Sequence, residues 1–394
     1  MSEIKVNSIK GVGATAAAIT VNNSDGTCTA NITNNLSNRR LTINGAMEVS
    51  QRGTSTTTNG YLIDRFRSSL GGLDQMQFTM SQSTDAPSGF RKSLKFDVTT
   101  VETGGTGSNE YGIIRYITES QDIAHFLYGT SGAKTITLSF HVKAYQTGTY
   151  ALNLFVADSD RSYTANYTIS QSATWEKKTL TFVGDTGGSE VNVDNGHGLY
   201  INWFLASGTD YKSSNAHFNQ WGTLGSATGW AYGHNVDLFN STDNYFQLTG
   251  VQLEVGSVAT DFEHRLFAQE LALCQRYYHM FAPYTGYNGR SGSYSGICEN
   301  ASFYTATNLF AQIYFPTAMR TSPSLNYATG TNYYIVYWHG TSMYFGDSIT
   351  MEGVTSDNFA CINRNNTPSS ASAGASALWR CSNDNAFMAA DAEL

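Results

Sequence analysis

Apolar residues recur at every second position along much of this chain, and that period constrains the fold more than any other feature. Ile136, Leu138, Phe140 and Val142 alternate with Thr135, Thr137, Ser139, His141 and Lys143. Beyond a Gln146-Thr147-Gly148 turn the pattern resumes in Tyr150, Leu152, Leu154 and Val156, and again in Leu199, Ile201, Trp203 and Leu205. Successive side chains of a strand point to opposite faces, so such runs bury one face and leave the other to polar groups. Further strands are predicted at 76–81, 93–99, 111–118, 164–170, 178–183 and 246–255. Apolar faces of period two, separated by Gly-rich turns, predict an antiparallel β-sandwich over residues 45–262. Gly250 puts Phe246 and Leu248 out of phase with Val251, Leu253 and Val255, which predicts a bulge.

The flanks read differently. In residues 1–44, Lys5 to Ile9 and Ala18 to Val21 alternate. Asn22-Asn23-Ser24-Asp25-Gly26 then supplies a turn before Thr27 to Ile32, so a hairpin is predicted. A lone hairpin is marginal in water, so it needs the next domain or copies of itself from other chains. In residues 263–284, Phe267, Leu271, Cys274, Tyr278 and Phe281 fall at helical spacing, with Pro283 as the stop. This predicts a connecting helix whose single apolar stripe packs on the sandwich or forms a three-fold seam between chains. Residues 285–394 form a second β-rich unit with 17 aromatic and 11 charged residues and no Lys. Such a unit exposes aromatic surface or buries it between chains.

Composition removes several functional classes. Basic residues number 23 against 31 acidic, so no broad surface neutralises phosphates and nucleic acid is not an expected partner. No stretch approaches the roughly 18 apolar residues of a membrane span, so no membrane insertion is expected. Met1-Ser2-Glu3-Ile4-Lys5 lacks the apolar core of a signal peptide, so synthesis in the cytoplasm is expected. Five cysteines (Cys28, Cys274, Cys298, Cys361 and Cys381) without C-x-x-C spacing argue against a zinc knuckle or a dense disulfide frame. Gly292-Ser293-Tyr294-Ser295-Gly296 resembles a hydrolase elbow, but Tyr holds the nucleophile position. No phosphate loop, dinucleotide fingerprint or zinc-protease motif is present. No catalytic residue is identified, and no cofactor is expected.

Two constellations remain. Asp158, Asp160, Asp185, Glu190 and Asp194 lie on predicted sandwich loops. Loop acids are ordinarily solvated surface; their oxygens also suit a bound calcium ion, whose ligands are not readable, or a carboxylate pair for glycoside hydrolysis. Trp221, Trp230 and Tyr232 occupy a Gly-rich lobe without strand periodicity, and Tyr333, Tyr337, Trp338 and Tyr344 crowd the second unit. Flat aromatic faces stack on sugar rings, while nearby Asn and Gln bond hydroxyls. The same residues also serve to cover a sheet edge or fill a small core.

Several segments resemble a known family. Leu41 to Ser55 (LTINGAMEVSQRGTS) resembles the opening of a β-sandwich module of phage tail-fibre proteins, especially those of marine cyanobacterial phages. Tyr61 to Ser68 (YLIDRFRS), Ala86 to Lys95 (APSGFRKSLK), Trp175 to Leu180 (WEKKTL) and Leu248 to Tyr278 are similar to its later signatures. Where the family reads T-P-F-E-H-R, this chain has Asp261 in place of Pro. Phe315 to Pro323 (FPTAMRTSP) and the final Asp391-Ala392-Glu393-Leu394 resemble segments found in the same proteins.

The resemblance implies a mainly β protein with a jelly-roll-like, carbohydrate-binding-module-like sandwich. It implies a homotrimeric virion appendage attached to the phage tail, or to another virion protein, through residues 1–44. The C-terminal tip, 285–394, would then lie outermost. The expected function is recognition of host-surface glycan during adsorption by Trp221, Trp230, Tyr232, Tyr333, Tyr337, Trp338 and Tyr344. Phe267, Leu271, Cys274, Tyr278 and Phe281 are candidates for the trimer interface. The alternatives are a structural adaptor or a capsid or neck fibre that never meets the receptor, and a polysaccharide depolymerase. The absence of a short repeat period speaks against the parallel-β form of the last.

Overall fold

The computed structural model describes residues 8–9, 19–21, 28–30, 39–225, 227–283, 297–353, 355–365 and 371–394. The alternating runs form strands at the expected places. One six-stranded sheet is ordered Gly222–Thr223, Arg161–Ile169, Gly148–Val156, His197–Ser207, Tyr111–Glu119, Phe66–Gly71. The second is ordered Glu176–Phe182, Ile136–Ala144, Tyr245–Val255, Ser93–Thr100, Gln77–Ser83, Ser55–Thr56. All strand pairs are antiparallel, and the chain crosses repeatedly between the two sheets, as in a jelly roll.

The inward residues of both sheets make one core. Phe140 meets Trp203 edge-on at 5.8 Å and Tyr167 at 5.1 Å. Both Phe140 and Trp203 are fully buried, and burial of each such side chain is worth about 1.5–3 kcal/mol. Gly250 marks a register shift between Thr249 and Gln252, and its φ of 62° is left-handed. The bulge brings Phe246, Leu248, Val251 and Leu253 into the same core, although the sequence places them in two phases.

The segment opening with Leu41 lies along this bulged strand. Leu41 N–H donates to Leu253 O, Thr42 Oγ1 to Val251 O, and Val251 N–H to Gly45 O. A side chain at Gly45 would sit 2.1 Å from Val251 O, so only glycine permits this approach. Residues 41–44 thus belong to the sandwich. The N-terminal strands Ile19–Val21 and Cys28–Ala30 pair as the expected hairpin, with Ser8–Ile9 added as a third strand.

The connecting helix is shorter than its spacing predicts. It spans Phe267–Gln275, and Tyr278–Ala282 is a strand paired with Met388–Asp391. Tyr278 and Phe281 therefore leave the proposed helical stripe, and Pro283 ends a strand. Tyr-His-Met-Phe is a good strand sequence, and pairing with the final segment decides between two local patterns that the spacing alone satisfies. Ser324–Tyr327 completes this three-stranded sheet.

The remaining C-terminal strands form a seven-stranded sheet. Its order is Thr341–Phe345, Tyr334–Trp338, Ser376–Cys381, Ile297–Phe303, Leu309–Tyr314, Phe359–Arg364, Ile349–Met351. One face of it packs with the three-stranded sheet around Phe303, Leu309, Tyr334, Val336, Trp379 and Met388.

Candidate functional site

The other face of the seven-stranded sheet is the most unusual surface of the molecule. Register places Tyr344 opposite Ile335, Ile335 opposite Arg380, and Tyr337 opposite Leu378. Further along, Ser302 stands opposite Ser376 and Phe310, Gln312 opposite Cys361, and Tyr314 opposite Phe359. Directly paired residues share a face, so these side chains lie on one side of the sheet. Tyr304, just past the end of its strand, joins them through Phe310, edge-on at 5.5 Å.

Tyr304, Tyr314 and Tyr344 are 73%, 68% and 47% exposed. The Tyr314 and Phe359 rings lie 6.2 Å apart, and the Arg380 guanidinium sits 5.8 Å from the Tyr337 ring. Arg380 is the one charged side chain in the described registers of this face. Gln312, Ser302 and Ser376 lie between the aromatic groups and are exposed. The arrangement offers flat apolar rings separated by neutral hydrogen-bonding groups, which suits sugar rings with their alternating C–H faces and hydroxyls.

The predicted tip residues divide between the two faces. Tyr337 and Tyr344 lie on the aromatic face. Trp338 is buried on the opposite face against Phe303, 5.3 Å away, and Tyr333 packs against the same inner core. Tyr304, Phe310, Tyr314 and Phe359 escaped the sequence reading. Their signal was present: Leu309, Ala311 and Ile313 alternate inward, so Phe310 and Tyr314, in the other phase, had to face outward.

The lobe residues occupy other places. Trp221 is half-buried, edge-on to Tyr128 and Tyr163, with its Nε1–H donating to Val183 O at 2.7 Å. Trp230 packs 6.2 Å from Phe155, and Tyr232 lies 5.1 Å from Phe218. Trp221 thus closes an edge of the sandwich core, whereas Trp230 packs with Ile113, Ala151 and Phe204 in a separate cluster.

Among the proposed trimer-interface residues, Cys274 and Tyr278 are enclosed by the chain's own residues, and Tyr278 lies under the Arg52 guanidinium at 3.6 Å. Leu271 and Phe281 are half-buried, which leaves Phe267 as the well-exposed member at 49%. The five residues do not form one stripe.

The loop acids hold local partners. Asp185 pairs with Arg161 at 2.8 Å, Asp158 accepts from Ser120 and Asn192, and Asp194 accepts the Gly196 N–H. Asp160 and Glu190 are exposed. Among the described residues no three His, Cys, Asp or Glu side chains converge on a metal position. Cys274, Cys361 and Cys381 are free thiols, and burial raises the pKa of each. No helix of the described residues is long and apolar enough to cross a membrane.

No protein-family model matches the chain, and no curated protein is similar to it. Solved structures similar to it include the enzymatically active domain of tailspike protein 4 of bacteriophage CBA120, at 12% identity and a TM-score of 0.31. That match covers 55% of this chain and 21% of the tailspike chain, so it spans about a fifth of that protein. A xylan-binding module of Paenibacillus barcinonensis matches at 10% identity over 54% of this chain and 92% of its own, with a TM-score of 0.25. A cyclase from Fischerella sp. matches at 11% identity over 55% and 95%, with a TM-score of 0.31. At these identities and scores the ligand or reaction named for each belongs to that protein alone; this chain is, on its own geometry, a mainly β protein built on an antiparallel sandwich.

Proposed function

We propose that this chain is a virion appendage, a trimeric tail fibre that recognises glycan on the host surface through the aromatic face of its C-terminal sheet. The observation that carries the reading is that face: exposed tyrosines over a broad sheet, with neutral hydrogen-bonding groups between them and a single charge. Soluble proteins seldom leave contiguous aromatic surface uncovered without a partner for it. The segments that resemble phage tail-fibre proteins supply the biological setting. In that setting three copies of a weak, flat site act together once one has engaged.

Ring stacking contributes about 0.5–1.5 kcal/mol per aromatic contact. Replacing Tyr314 and Tyr344 together with Ser is expected to reduce adsorption of the purified fibre to host cells by about tenfold, read as bound protein per cell. Unchanged adsorption by a variant with native circular dichroism would remove this face from the account.

A further inference from the structure

The outer side of the first sandwich sheet carries a row of polar residues that runs straight across its strands. Tyr61 stands opposite Arg67, Arg67 opposite Arg115, Arg115 opposite Asn202, Asn202 opposite Asn153, and Asn153 opposite Thr164. Directly paired residues share a face. The two amides in this row are buried and bonded in series. Asn153 Nδ2 donates to Thr164 Oγ1 at 3.1 Å, Asn202 Nδ2 to Asn153 Oδ1 at 3.1 Å, and Arg115 Nε to Asn202 Oδ1 at 2.7 Å. The series satisfies the buried amides and fixes one edge of the Arg115 guanidinium. Nη1 and Nη2 of Arg115 and of Arg67 make no hydrogen bond among the described residues and are not enclosed.

These two guanidinium groups lack a counter-charge. Neither forms an ion pair among the described residues; after burial, the groups acting most strongly on Arg115 are Tyr111, Tyr200, Arg67 and Tyr61. Like charges directly opposite on neighbouring strands repel, and partial burial adds to the cost. Ring faces ease it: Arg115 lies 5.1 Å from the Tyr200 ring and Arg67 5.2 Å from the Tyr61 ring. The positive field reaches His197, whose pKa is lowered by burial first and then by Arg320, Arg115 and Arg67. Leu394 O accepts the Tyr61 O–H at 2.6 Å, and one carboxylate at that chain end would still leave one of the two charges unmatched. In the next row along, Tyr200 and Phe155 stand opposite each other, half-buried, with rings 5.5 Å apart.

We infer that this row binds an acidic sugar, its carboxylate received by the Nη groups of Arg67 and Arg115 and its ring set against Tyr200. Guanidinium and carboxylate are both planar and match in spacing, which suits two adjacent arginines. The choice of a sugar rests on the glycan-recognition reading; the choice of an anion rests on the row alone. The whole chain carries a charge of −8, so general attraction does not draw polyanions to it.

The test is calorimetric titration of the full chain with trigalacturonate, with maltotriose and sodium sulfate as comparisons. Saturable trigalacturonate binding, at least about tenfold tighter than either comparison, is expected, since hydrogen bonds between charged groups contribute that much. Arg67→Gln should weaken it about three- to tenfold. Asn202→Asp would place the missing negative charge beside Arg115. It should abolish binding while keeping or raising the melting temperature, a pair of results that misfolding cannot imitate. If that variant melts lower than the native chain, Arg67→Gln decides. No saturable binding, maltotriose or sulfate as tight as trigalacturonate, or undiminished binding by a folded variant would each overturn the inference. Silent titration, with adsorption still lost in the Tyr314 and Tyr344 variant, would strike this row and leave the glycan reading standing. Trigalacturonate binding, with adsorption unchanged in that variant, would keep the row and strike the aromatic face.

Discussion

Arg65 shows how much of the molecule depends on single buried charges. Its guanidinium stacks on Tyr277 at 3.4 Å, donates to Ile117 O and pairs with Glu393. Burial opposes its charge, but Glu393 first, then Tyr277, Tyr116 and Tyr61, together hold its pKa above the ordinary guanidinium value. Arg65→Met would leave Glu393 in a buried place without this partner and is expected to cost about 3–5 kcal/mol in urea unfolding. Adding Glu393→Gln should recover part of the loss; no recovery would mean that the pair is not coupled. His234 makes a second prediction at this scale. It is buried, its Nδ1 accepts the Ala151 N–H at 3.1 Å, and burial first, then the Lys212 charge, depresses its pKa from 6.5 to about 3. Between those two values the unfolded chain binds the extra proton, so the stability His234 contributes is intact above pH 6.5 and is lost as pH falls. His279, depressed by burial to about 4, acts in the same direction. From pH 7 to pH 5 the native chain should lose about 2 kcal/mol through His234 alone. Urea midpoints for His234→Gln should show a correspondingly smaller loss, and an equal loss would contradict the assignment.

At the scale of elements, the bulge at Gly250 joins the strand Tyr245–Val255 to the segment that opens with Leu41. An added Cβ at Gly250 would meet Phe90 at 2.7 Å and His141 at 2.8 Å, at a φ that L-residues rarely adopt. Gly250→Ala is expected to destabilise by more than about 1 kcal/mol, read by thermal or urea unfolding. A neutral result would show that the two rings yield freely and that the bulge tolerates a side chain. This bulge was legible because glycine broke a phase that flanking residues made plain. The sandwich strands were legible because their core residues keep one phase, even where the opposite face is covered as well, as in His197–Ser207 and Tyr245–Val255. The helix end was not. Phe267, Leu271, Cys274, Tyr278 and Phe281 satisfy a helical period, but Tyr278 and Met280 also satisfy a strand period, and only pairing with Met388–Asp391 decides between them. The aromatic face was half legible: Tyr333 to Trp338 is apolar at every position, so no phase separates inward Trp338 from outward Tyr337.

The whole molecule is held together by contacts that no local pattern announces. Arg52 lies between Asp391 at 3.3 Å and Glu393 at 3.4 Å, and Arg320 donates to Ala392 O, Glu393 O and Asn195 O. Leu394 joins Ile43, Val49, Cys274 and Tyr277 in a small core between the sandwich and the C-terminal unit. The sequence motifs near Leu41, Tyr61, Leu248 and Asp391 thus meet in one place, although some 340 positions separate Arg52 from Glu393. As a trimer, the chain should scatter light at three times 42.9 kDa after size exclusion. A species of 42.9 kDa would contradict that part of the proposal and leave the aromatic face to be tested by itself. The direct test of that face is affinity electrophoresis of the purified chain through gels containing soluble bacterial surface polysaccharides. The native chain should be retarded by at least one of them, and Tyr304→Ser, Tyr314→Ser and Tyr344→Ser combined should abolish the retardation without lowering the melting temperature. A native chain that no polysaccharide retards, or a triple variant retarded as strongly as the native chain, would contradict the account.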